Sequence, residues 1–140
     1  MVTLTATPNA SSTFTGWSGG GCSGTGTCNV TMDAAKTVTA TFTLNSYLLT
    51  VATAGSGSGS VSGTGITCPG DCTEAFSHGT AVTLTATPNA SSTFTGWSGG
   101  GCSGTGTCNV TLDAAKTVTA TFTLKSYTVT PSAGANGSIT

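Results

Sequence analysis

Charge is what this chain has least of: among 140 residues Lys+Arg supply 3 and Asp+Glu 4, for a net charge of -1. Such a protein has no basic face to release counterions from a phosphate backbone and no polybasic patch for anionic headgroups, so nucleic acid and membrane surfaces are disfavoured as partners. Aromatic residues make up only 6%, and no apolar run approaches the roughly 20 residues that cross a bilayer as a helix. His78 is the single histidine. It stands beside Gly79 in a turn context. No Gly-x-Ser-x-Gly elbow occurs, and no glycine cluster is followed by Lys-Ser/Thr, so hydrolase and nucleotide chemistry have no motif to rest on. Neither an enzymatic activity nor a cofactor is expected.

Hydroxyl groups fill the place that charge leaves vacant. Ser and Thr occupy 50 of the 140 positions and Gly another 21. Hydrophobic residues still make up 36%, and they are patterned, which a disordered linker is not.

The pattern is a repeat. Residues Val2 to Leu44 recur 80 residues later as Val82 to Leu124 with one change, Met32 against Leu112. The similarity runs on from Asn45 to Thr50 and from Lys125 to Thr130, after which the copies drift. Residues 1–44 therefore read as the C-terminal part of one unit, 45–124 as a complete unit, and 125–140 as the start of the next. Met1 stands where the full copy has Ala81, so the sequence reads as a window on a longer array. An array acts through reach, number and surface rather than through one unique pocket. Partners are accordingly sought in neighbouring repeats of the same or identical chains, with part-units completed by neighbouring chains into a homopolymer.

The six cysteines fall in three short loops, as Cys22 with Cys28, Cys68 with Cys72, and Cys102 with Cys108. The leading part-copy holds only one such pair, so pairing within each loop is the simplest solution, and persistent disulfides imply a secreted or cell-surface location. The competing reading is a four-thiolate zinc site of Cys68, Cys72, Cys102 and Cys108, although the Cys102 to Cys108 spacing is wider than a zinc knuckle prefers.

Strict alternation of apolar and hydroxyl residues from Val82 and from Thr117 is the signature of strands. It places Val82, Leu84 and Ala86 on one face and Val118, Ala120, Phe122 and Leu124 on another. Shorter strands are predicted at Tyr47–Thr53, Ser60–Ser62, Thr73–Phe76, Thr93–Trp97 and Thr107–Leu112, about seven in all. Turn signals separate them at Gly55–Gly59, Pro69-Gly70-Asp71, His78-Gly79, Pro88-Asn89 and Gly99–Gly101. The only helical candidate is one turn at Asp113–Lys116. The expected fold is all-β: tandem small β-sandwich or β-grasp-like modules of about 80 residues. Their core anchors are Trp97, Phe94, Phe122, Tyr47 and Phe76.

Two binding readings compete with a structural one. Trp17 and Trp97, each flanked by Gly-Trp-Ser-Gly-Gly, would serve as carbohydrate platforms if their rings were exposed, but one tryptophan per unit in a module poor in large apolar groups is better explained as a core anchor. The threonine runs at Thr83–Thr87 and Thr117–Thr123 would order water as an ice-binding lattice only if stacked flat, and turns divide them. Asp71 and Glu74 beside Cys72 are too few carboxylates for a calcium site.

The run Gly-Thr-Ala-Val-Thr-Leu-Thr-Ala-Thr-Pro, then Ser-Thr-Phe-Thr-Gly-Trp-Ser-Gly, Cys-Ser-Gly-Thr-Gly-Thr-Cys and Thr-Val-Thr-Ala-Thr-Phe resembles the divergent internalin B-repeat family. That resemblance covers essentially the whole 80-residue period. It implies a bacterial, extracellular tandem module similar to the β-grasp-like listerial B repeat, and it brings no catalytic residues. The expected role is a structural segment of a surface stalk, fibre or adhesin, acting as a spacer or self-assembling.

Overall fold

The computed structural model describes all 140 residues. Twelve strands follow one another: β1 (Val2–Leu4), β2 (Ser12–Ser18), β3 (Cys28–Val30), β4 (Thr39–Leu44), β5 (Ser46–Ala54), β6 (Gly59–Gly63), β7 (Ile66–Cys68), β8 (Thr73–Ser77), β9 (Thr80–Pro88), β10 (Ser92–Ser98), β11 (Cys108–Leu112) and β12 (Lys116–Leu124). There is no helix, so none is long and apolar enough to cross a membrane.

Strands β5 to β12 make two four-stranded sheets, ordered β10-β12-β5-β8 and β11-β9-β6-β7. Of the two architectures expected, the sandwich is the one formed, because no helix is available to pack on a grasping sheet. The chain passes repeatedly between the layers, so almost every strand is stitched to both. All pairings are antiparallel except β12 with β5, which run parallel with Lys116 opposite Leu49 and Thr121 opposite Ala54.

Alternation decides what lies between the layers. Leu49 and Val51 of β5, Val61 of β6, Ile66 of β7, Val82 and Leu84 of β9, Val110 and Leu112 of β11, and Val118, Ala120 and Phe122 of β12 belong to one buried cluster. Threonines occupy the intervening positions, where a β-branched side chain suits a strand and a hydroxyl suits water. Trp97 completes the core, with Phe94, Tyr47 and Phe76 packed at its margin.

Two details differ from the sequence reading. Strand β7 adds an eighth strand to the unit: only three residues long, it gives alternation too little length to register, yet it buries Ile66 and Cys68. Asp113–Lys116 forms no helical turn. Lys116 already begins β12, and its ammonium bridges the Asp113 carboxylate (2.8 Å) and donates to the Thr111 carbonyl (2.6 Å), bracing a tight connection between β11 and β12.

Strands β1 to β4 build half of the same sandwich. β1 pairs with β3 and β2 with β4, in the registers that β9 keeps with β11 and β10 with β12. The counterparts of β5, β6, β7 and β8 are missing from this half. Over the shared sequence the strands are shorter: three residues in β1 against seven of β9 (Val82–Pro88), and six in β4 against nine in β12.

Candidate functional site

Each indole is wrapped by its own loop. A bulge between Phe94 and Gly96 turns Trp97 inward, and the loop that follows folds over it: Trp97 N–H donates to the Gly104 carbonyl (2.9 Å) and Nε1–H to the Gly106 carbonyl (2.7 Å). Phe94 meets the ring edge-on at 5.1 Å between centroids. Trp97 is 5% exposed, so it presents almost none of its surface to a sugar. Trp17 keeps the same bonds, to Gly24 and Gly26, and is half-buried. Gly99 makes the tight approach possible: its φ of +79° lies in the left-handed region, and a Cβ there would collide with the Thr117 carbonyl oxygen.

The cysteines stand in three local disulfides, Cys22–Cys28, Cys68–Cys72 and Cys102–Cys108. Cys68 and Cys108 lie in the core cluster, with Cys72 and Cys102 at its edge. The four sulfurs of the complete unit are thus divided between two separate rings rather than gathered round one metal. Asp71 and Glu74 belong to no cluster of metal-ligating side chains. His78 packs its ring against Tyr47 at 5.9 Å, and its Nδ1 is buried without a partner.

The residues most distinctive of this chain lie where units meet, and sequence reasoning passed over them. A single residue, Asn45, separates β4 from β5. Its N–H donates to the Ser11 carbonyl (2.9 Å), and its side chain accepts from Thr13 Oγ1 (2.6 Å) and donates to the Ala10 carbonyl (3.3 Å). On the other side, its carbonyl accepts from His78 N–H (2.7 Å). Lys125 repeats the arrangement after β12, with its N–H on the Ser91 carbonyl (2.9 Å) and Nζ on the Ala90 carbonyl (3.0 Å). The signal that would have found this was the single non-hydroxyl polar residue between two alternating runs.

Residues 1–44 hold only the strands that match β9 to β12, so the face that β5 and β6 cover in the complete unit is uncovered in them. Where β5 and β6 would pack, an apolar hollow of about 350 Å³ lies between Val2, Leu4, Val30, Met32, Lys36 and Val38. A smaller hollow of about 200 Å³ lies beside Thr7, Asn9, Ser12 and Phe42. In the complete unit Asn89 and Ser92, the counterparts of Asn9 and Ser12, hold Ser58 at the head of β6: Asn89 Nδ2 donates to Ser58 Oγ (2.8 Å), and Ser58 N–H donates to Ser92 Oγ (2.9 Å).

Residues 1–46 and 49–126 match the model of the divergent InlB B-repeat domain. The chain belongs to that family. Two successive matches span nearly its whole length, and the family is extracellular in general. No curated protein and no solved structure matches the chain. Membership in a B-repeat family points to a structural module, and the three local disulfides point away from the reducing cytosol.

Proposed function

We propose that this chain is a spacer segment of a bacterial surface stalk, fibre or adhesin, secreted or held at the cell surface, non-catalytic, and built of B-repeat units joined strand to strand. The observation that carries this reading is the junction at Asn45. A Gly/Ser-rich linker of several residues would let neighbouring units swing independently. Here one residue is tied by three hydrogen bonds to the preceding unit and by one to the following unit. Ordering one residue costs about 1–2 kcal/mol in backbone entropy, and bonds of about 1 kcal/mol each offset it. Units coupled in this way transmit direction along the array, which is what a projecting stalk requires. The low charge and the hydroxyl-covered faces keep such a stalk wettable without making it sticky toward polyanions.

Small-angle X-ray scattering of the purified chain, with negative-stain microscopy, tests the proposal. An extended particle of fixed inter-unit angle is the expected result. A distribution of angles typical of freely jointed beads overturns it.

A further inference from the structure

We infer that the complete unit resists tension along the array, with the parallel ladder between β5 and β12 as the clamp that must break before the unit opens. The inference deepens the spacer reading by adding a function under load. It rests on that reading for its setting, since only a chain anchored at one end and held at the other is pulled.

The chain enters and leaves the unit by neighbouring strands. β5 begins directly after Asn45, and β12 ends directly before Lys125. The two lie side by side and parallel, in register from Lys116 opposite Leu49 to Thr121 opposite Ala54. Entry and exit therefore stand at opposite ends of one ladder, roughly 36 Å apart along the strands at about 3.3 Å per residue.

A pull through the flanking residues draws β5 one way and β12 the other, along their own axes. The hydrogen bonds of the ladder run between the strands, across the direction of sliding, so all of them are strained together. Had β5 and β12 been antiparallel, both attachment points would lie at the same end. The pairs would then open one after another, each with little resistance.

No route out avoids this ladder. β5 is held between β12 and β8, and β12 between β5 and β10, so whichever strand leaves first, the bonds between the two have to break. Val51 sends its N–H to the Cys72 carbonyl (2.8 Å), on the β8 side, and alternation turns the N–H groups of Thr50 and Ala52 toward β12. Sliding also drags Leu49 and Val51 past Val118, Ala120 and Phe122. All five belong to the same buried cluster, where close packing resists a shift.

Both points where force enters are tied to the body of the unit. At the exit, Gly57 N–H donates to the Phe122 carbonyl (3.0 Å) and Leu124 N–H to Ser56 Oγ (3.2 Å), so the loop after β5 hooks over the end of β12. That loop needs a glycine at Gly55, whose φ of +93° lies in the left-handed region and where a Cβ would collide with the Phe122 carbonyl oxygen. Lys125 is bonded to the Ser91 and Ala90 carbonyls. At the entrance, the Asn45 carbonyl accepts from His78 N–H (2.7 Å). Fraying from either end is thereby opposed. The disulfides stay off this path, because Cys68–Cys72 and Cys102–Cys108 are local rings and neither joins β5 to β12.

Single-molecule force spectroscopy of the full chain, with its disulfides intact, tests this. In one attachment the handles sit at Met1 and Thr140, so that β5 and β12 are sheared. In the other the second handle is an azide-bearing residue in place of exposed Ala114, in the connection at the entry end of β12, so that the two strands are peeled apart from that end. Forced unfolding is governed by the barrier to opening rather than by equilibrium stability, and the sheared geometry should yield at about twice the force of the peeled one or more. The event of the complete unit is recognised by its length. Residues 45–124, extended at about 3.6 Å each, less the two closed rings and the folded separation, release roughly 225 Å in one step. Equal forces in the two geometries, a weaker sheared geometry, or opening of residues 45–124 in two or more shorter steps overturns the inference. A fixed-angle particle in scattering with equal forces would keep the spacer reading and remove the clamp. Freely jointed units with direction-dependent resistance would do the reverse.

Discussion

Leu112 is fully buried, and Met32, the residue in its place in the other copy, is 57% exposed; this is the one position at which residues 2–44 and 82–124 differ. Leu112 ends β11 and seals the core beneath β9. Met32 lies beyond the end of β3, at the mouth of the open hollow.

The two positions should respond differently to truncation. Leu112→Ala removes packing from a closed core and is expected to cost about 2–5 kcal/mol. Met32→Ala should change stability by about 0.5 kcal/mol or less in the monomer. Urea denaturation of both variants at a concentration that keeps the chain monomeric measures the difference.

The disulfide rings of the complete unit should each contribute roughly 2 kcal/mol by restricting the unfolded chain. Cys102→Ala/Cys108→Ala and Cys68→Ala/Cys72→Ala are therefore expected to lower the melting temperature without abolishing the sheet signal in circular dichroism. Mass spectrometry of the wild-type chain under denaturing, non-reducing conditions should find no free thiol.

Tryptophan fluorescence should resolve two environments. In Trp17→Phe the remaining Trp97 emission should be blue-shifted and shielded from acrylamide. In Trp97→Phe the half-buried Trp17 should be more readily quenched. Equal, strong quenching of both would mean that the loops do not close over the indoles, and would revive a sugar-platform role.

The pH dependence should be shallow and confined to acid. The hydrogen bond from Lys116, followed by its charge, holds the Asp113 carboxyl below the usual aspartate range, and the bond from Lys36 does the same for Asp33. A depressed folded value means that the unfolded chain takes up the proton first. Any stabilisation is then complete above the unfolded aspartate pKa of about 3.9 and is lost as pH falls through the lower folded values. Both carboxylates are exposed, so the effect is small. Thermal melts should be level from about pH 8 to about pH 5 and fall below about pH 4. Asp33→Asn/Asp113→Asn should flatten the acid limb.

Much of the fold was legible in the chain because alternation has a direct physical meaning. Val82, Leu84 and Ala86 were expected on one face and Val118, Ala120, Phe122 and Leu124 on another, since Thr takes the intervening places; five of them are buried and Ala86 is partly so, but Leu124, at the end of β12, is 53% exposed. The ring-size spacing of the cysteines and the one tryptophan per unit pointed to a stapled module. Strand β7 escaped notice because three residues carry no period. The connection at Asp113 looked helical because its capping chemistry, an acid three residues before a lysine, serves a tight strand connection equally well.

The amino-acid sequence by itself determined the all-β class, the period, the inward and outward faces, and the absence of any charged surface, since each depends on side-chain order along a strand. It did not determine what those side chains experience. Residues 2–44 and 82–124 are chemically the same but for Met32 and Leu112, yet Phe122 is sealed where Phe42 meets solvent, and β9 has seven strand residues in the shared block where β1 has three. Only the tertiary structure decides this, because burial and strand length depend on whether β5 and β6 lie alongside, and that is a property of neighbours distant in sequence.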